Sequence, residues 1–139
     1  MSIVSTVTAS GTQGFDAVSL FSSSQIKTLW DNSPYMVAMA NAASGSTSQV
    51  QTYVQNLLDQ GFYVGIYRGY YTGMFDSSPS SVGSSHAQQC IDVAQGFSGS
   101  KGMTFWCDLE GATSSTTAQD IIDYANAFNT TTQYKVLNF

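Results

Sequence analysis

Apolar residues along the chain alternate between two rhythms, short runs with strand character and longer stretches with the 3.6-residue period of a helix. Gly14-Phe15-Asp16-Ala17-Val18 reads as a first strand with an acid inside it. Ser22, with Gln25 three residues on, forms a capping box and opens a helix whose apolar side is Ile26, Leu29 and Trp30. Asn32-Ser33-Pro34 ends it. Tyr35 to Ala40 is a continuous apolar run, the pattern of a strand covered on both faces. A second capping box, Ser46 with Gln49, opens a helix in which Val50, Tyr53, Val54, Leu57 and Leu58 keep the helical spacing without a miss. Gly61 is its C-terminal cap.

Phe62 to Tyr67 is the third strand, followed by a Ser/Pro/Gly-rich loop to about Gly83. Ser85 with Gln88 opens a third helix, with Ala87, Cys90, Ile91 and Ala94 on one side. This places His86 in the first turn of that helix, facing solvent. Met103 to Leu109 is a fourth strand, and period-2 alternation puts Thr104, Trp106, Asp108 and Glu110 on one face. Thr117 with Asp120 opens a fourth helix carrying Ile121, Ile122, Ala125 and Phe128. Tyr134 to Phe139 reads as a fifth strand. Residues 1–13, polar and rich in Thr and Ser, form an N-terminal arm before one βα domain over 14–139.

Strict alternation of strand and helix predicts an α/β fold, a parallel βα repeat of about five strands and four helices. The C-terminal ends of parallel strands lie on one side, where such folds carry their sites. Asp16, Asn41, the segment Tyr67 to Tyr71, and the pair Asp108 and Glu110 all fall at those ends. Acids are depleted in buried strands, so two of them at one strand end are either solvated or present for chemistry.

Composition narrows the partners. The 139 residues carry only 9% charged side chains and a net charge of −5. Four Lys and Arg in total exclude a nucleic-acid footprint, and an anionic membrane surface would repel the chain. No apolar run reaches membrane-spanning length. A surface built from Ser, Thr, Asn, Gln and Gly is common in extracellular and cell-surface proteins, yet the N-terminus lacks a signal-peptide pattern, which leaves the cytoplasm open as well. Asn129-Thr130-Thr131 is a glycosylation sequon, meaningful only in a secreted chain. Cys90 and Cys107 have no metal-site spacing and are either buried free thiols or a disulfide. With one histidine, no His-rich metal site exists, and neither a metal nor a cofactor is expected. No Gly-x-Ser-x-Gly elbow and no Gly-rich phosphate loop occur, which removes a serine-hydrolase elbow and a nucleotide-binding first turn.

Gly14-Phe15-Asp16, the segment Gly61 to Tyr67, Ala87-Gln88-Gln89 leading to Phe97, and Cys107-Asp108-Leu109-Glu110 stand in the order seen in glycoside hydrolase family 25, the lysozyme-like muramidases. The chain also resembles, more closely, a related bacterial glycoside-hydrolase-like family of unknown function. The resemblance covers roughly residues 14–139. It implies a modified TIM barrel and a peptidoglycan-like, β-linked N-acetylated aminosugar polymer as substrate. Glu110 then resembles the general acid, Asp108 the second strand-four carboxylate and Asp16 the strand-one aspartate. A full (β/α)8 barrel of this kind has about 200 or more residues. The sequence instead predicts a partial, TIM-like barrel, and the family's later carboxylate has no counterpart. Either more chain follows, or a half-barrel pairs its last strand with another copy of itself.

The chemistry agrees with that spacing. Strand positions i and i+2 lie roughly 6.5–7 Å apart at their Cα atoms. Paired carboxyl groups cleave glycosides at about 5–5.5 Å with retention and about 6.5–9.5 Å with inversion. On an N-acetylated sugar, Glu110 protonates the leaving oxygen while Asp108 orients the acetamido group, whose oxygen attacks. Tyr67, Tyr70, Tyr71 and Trp106 offer rings for sugar stacking, and Asn41 a polar contact. The alternative is a catalytically silent, carbohydrate-binding or self-assembling protein that associates through the apolar C-terminal edge strand, Val136 to Phe139.

Overall fold

The computed structural model describes residues 11–97 and 104–136, with side chains to residue 133. Four strands, β1 (Gln13–Ala17), β2 (Tyr35–Asn41), β3 (Tyr63–Arg68) and β4 (Phe105–Cys107), form one sheet in chain order. Every neighbouring pair is parallel. The connections are the helices α1 (Ser23–Asn32), α2 (Thr47–Gln60) and α3 (Pro79–Ala94), and α4 (Ala118–Val136) follows β4. Sequential strand order with crossovers of one hand stacks successive helices along one face of the sheet. α1 packs on α2, α2 on α3 and α3 on α4.

Alternation along each strand sorts its residues between that covered face and an open one. Ala38, Ala40 and Ile66 point to the helices and are fully buried, joined by Phe15, Val64, Phe105 and Cys107. They meet Val50, Val54 and Leu57 of α2, Ala87, Cys90 and Ala94 of α3, and Tyr124 and Phe128 of α4. An aromatic seam fixes α1 to this core, with the Trp30 and Phe62 ring centroids 4.8 Å apart and Phe15 5.7 Å from Phe62.

Both capping boxes are in place. The Ser22 side chain accepts from Gln25 N and Gln25 Oε1 accepts from Ser22 N, and Ser46 and Gln49 repeat the pattern. Gly61 holds φ at 110°, the left-handed turn that ends α2, and its N–H donates to Leu57 and Leu58 carbonyls. At the start of α4, Thr117 N and Oγ1 both donate to Asp120 Oδ2.

The second half departs from the pattern-based reading. α3 begins at Pro79, six residues before the expected Ser85, because proline at N1 starts a helix without losing a bond. The intervening Gly83 is a packing requirement rather than a loop residue: a β-carbon there would lie 2.3 Å from the Tyr124 carbonyl oxygen, so α3 and α4 cross at backbone contact. His86 consequently lies within α3 and is buried rather than solvent-facing. The first half of the expected fifth strand is helical instead: residues 134–136 continue α4. Most of the expected C-terminal edge, residues 137–139, lies outside the described residues, and the edges of the described sheet are β1 and β4. β2 is not covered on both faces, as its continuous apolar run implied; Val37 and Met39 lie half-buried on the open side. β4 is shorter than expected and ends at Cys107. Residues 1–10 of the expected arm, and Met103 of the expected fourth strand, are outside the described residues.

Candidate functional site

Strand register brings the open-face residues together. Asp16 lies beside Met39, and Met39 beside Gly65. One row toward the strand ends, Asn41 lies beside Tyr67, and Tyr67 beside Trp106. Gly14, Asp16, Met39, Tyr67, Trp106 and Asp108 line an open hollow of about 410 Å3 at this place. Gly65 leaves room for Met39: a β-carbon there would meet Met39 Sδ at 2.5 Å and lie 3.9 Å from Trp106 Nε1. The missing side chain lets Met39 lie down across the sheet between Asp16 and Trp106.

Tyr67 is the centre of this group. Its ring is 9% exposed and its hydroxyl donates to Asp16 Oδ2 over 3.4 Å. Burial raises the phenol pKa, and the charge of Asp16, its hydrogen bond to the phenol, and the charge of Asp108 raise it further, while the Asn41 amide opposes them. The phenol thus stays protonated and feels one carboxylate from β1 and one from the turn that follows β4. Trp106 is 57% exposed.

Asp108 and Glu110 are not a pair on one strand face. β4 has ended, and Asp108 Oδ1 accepts from Glu110 N at 3.0 Å, an Asx turn. Asp108 N donates to the Arg68 carbonyl, which carries the sheet pairing one residue further. Asp108 therefore reaches the hollow, while Glu110 is exposed and does not line it. Asn41 is 7% exposed, and its Oδ1 accepts from the backbone N–H groups of Ala43 and Gly69. It ties the loops after β2 and β3 together. Tyr70 and Tyr71 are exposed and lie away from Asp16; Tyr71 packs edge-on to His86, with ring centroids 5.8 Å apart.

The loops above the strand ends are cross-braced. Asp76 accepts from Thr116 Oγ1 at 2.6 Å and Thr113 Oγ1 at 2.8 Å, and Gly73 N donates to the Gly111 carbonyl. Hydrogen bonds from Thr116 and Thr113 hold the Asp76 carboxyl below the usual range. This links the segment after β3 to the turn that carries Glu110.

Cys90 and Cys107 are free thiols, and burial pushes Cys90 up to about 12, which keeps it inert. No group of three His, Cys, Asp or Glu among the described residues is arranged to hold a metal ion. No described helix is long and apolar enough to cross a membrane. Met39, absent from the residues chosen from sequence, belongs to the hollow; its position opposite Asp16 in register was the available signal.

Comparison with known proteins adds no assignment: no family model, curated protein or solved structure matches the chain. The described residues define an α/β protein with a four-stranded parallel sheet, whose open face sets Asp16 and Asp108 among Met39, Tyr67 and Trp106.

Proposed function

We propose that the open face of the sheet binds glycans, and that the strands form part of a TIM-like βα barrel of lysozyme-like glycoside-hydrolase type. The ligand class is a β-linked N-acetylated aminosugar polymer such as peptidoglycan. The observation that carries this reading is Trp106, more than half exposed on the strand next to Tyr67. An aromatic face suits the C–H face of a pyranose, and Asp16, Tyr67 and Asp108 around it supply hydroxyl-directed hydrogen bonds. The sequence resemblance to family 25 supports the same ligand class.

Titration with N-acetylglucosamine oligomers and soluble peptidoglycan fragments, followed by tryptophan fluorescence, tests the proposal. Saturable binding in the wild type that is lost in Trp106→Ala supports it. Absence of binding over the whole series overturns it.

A second reading, hydrolysis, is favoured by the two carboxylates that act on Tyr67, Asp16 from β1 and Asp108 from the turn after β4. In that reading Asp16 and Asp108 contact the sugar, and Glu110 is the acid, brought in by movement of its turn. Release of reducing ends that disappears in Glu110→Gln, with glycan binding retained, supports hydrolysis. Binding without turnover between pH 4 and 7 leaves the protein a glycan binder.

A further inference from the structure

A second hollow, of about 430 Å3, lies between the end of β3 and the first turns of α3. Its lining includes Arg68, Tyr71, Ser81, Ser85, His86 and Gln89. Arg68 is the chain's single arginine. Nothing anionic meets it among the described residues, where the one ion pair is Lys27 with Asp31. Its guanidinium is instead set among neutral groups. Nε donates to Gln89 Oε1 at 2.8 Å, Nη1 donates to the Gly69 carbonyl, and Cζ lies 5.9 Å from the Tyr71 ring centre.

His86 is the second independent feature. It is 4% exposed, and its Nδ1 lies 2.8 Å from the Tyr124 hydroxyl. Burial first, and the Arg68 charge second, lower its pKa to about 4, so the ring is neutral at pH 7. The contact admits either tautomer; with the Tyr124 hydroxyl donating to Nδ1, the ring proton sits on Nε2 and that nitrogen is a donor. Ser81 and Ser85, one turn apart on α3, add two hydroxyls to the same hollow. The lining holds an arginine, an imidazole, a phenol, two hydroxyls and an amide, and no carboxylate. A half-buried cation without a counter-charge, in a chain of net charge −5, is electrostatically incomplete.

We propose that this hollow binds a small oxyanion, a carboxylate or phosphate group, held by Arg68 with Ser81, Ser85 and His86 as further donors. Charge-assisted hydrogen bonds from a guanidinium and neutral donors are the chemistry that recognises both groups. The site is separate from the glycan hollow, which lies on the opposite face of the sheet, and stands whether or not glycans bind there.

The single histidine makes the test direct, because its ring gives one set of NMR signals. At pH 7 the full chain is titrated separately with inorganic phosphate and with acetate. A saturable shift of the His86 ring signals is expected with at least one of them, and the tighter anion identifies the source. Arg68→Gln should weaken that binding about ten-fold or more. If Arg68→Gln does not fold, the double variant Ser81→Ala, Ser85→Ala takes its place, since both residues are exposed; weakened binding is expected. The proposal is overturned if neither anion gives a saturable shift, or if the folded variant titrates as the wild type does.

Discussion

The two faces of the sheet use the same strands for opposite purposes. On the covered face, Ala38, Ala40 and Ile66 are fully buried under α2 and α3 and take no part in either hollow. On the open face, one residue away in each strand, Asp16, Met39, Tyr67 and Trp106 make a hollow with an acid, a phenol and an indole, and Asp108 joins them past the end of β4. Ile66 and Tyr67 are chain neighbours, yet one is core and the other the centre of the site. The pleat accounts for this: a strand embedded by its apolar side presents a second, independent set of side chains in fixed register. The buried apolar core gathers on one face, which leaves the side chains of the other free of that packing role.

That contrast is testable by disruption, and the largest effect lies on the covered face. Ile66→Ala should cost about 2–5 kcal/mol, because it empties a site that the helices close over. Urea unfolding reads this as a lower midpoint at an unchanged slope. A cost under about 0.5 kcal/mol, the level of an ordinary surface change, would mean that the covered face is not where stability resides.

His86 gives the next effect, in the contact between α3 and α4. Its folded pKa of about 4 lies below its ordinary value of 6.5, so the unfolded chain binds the extra proton between these limits. Its contribution is therefore complete above about pH 6.5 and is lost as pH falls toward 4, by roughly 1–3 kcal/mol. Unfolding midpoints of the wild type and His86→Gln across this range should converge at the acid end. Parallel curves would place His86 in solvent.

The smallest effect on stability belongs to the open face. Trp106→Ala should change unfolding free energy by less than about 0.5 kcal/mol, as expected for a side chain that is half in water. Under the proposed function, glycan binding is nonetheless lost in this variant. A large stability loss in this variant would make Trp106 a packing residue and dissolve the distinction between the faces.

Local chemistry made much of the first half legible. The Ser22–Gln25 and Ser46–Gln49 capping boxes, the apolar spacing of α2 and the Gly61 stop depend only on residues within a few positions of one another. Asp16, Tyr67, Trp106 and Asp108, selected from strand ends and alternation, do come together, because parallel pairing fixes which ends share a side. The second half was less legible. Ser85 with Gln88 resembles a capping box, but Pro79 starts the helix earlier, and the match of Gly83 to the Tyr124 carbonyl depends on residues about forty positions apart. Tyr134 to Val136 has the composition of a strand, yet these residues extend α4. Short apolar runs suit either state, and context decides between them.

The sequence by itself determined the alternation of strand and helix, the caps of the first two helices and the identity of the polar residues at strand ends. These follow from backbone geometry and near-neighbour hydrogen bonds. Only the tertiary structure decided that Asp108 joins Asp16 around Tyr67 while Glu110 turns away, and that His86 and Arg68 share a second hollow. Those outcomes depend on where β4 stops and on how closely α3 crosses α4. Both are set by packing between distant segments, which near-neighbour rules do not encode.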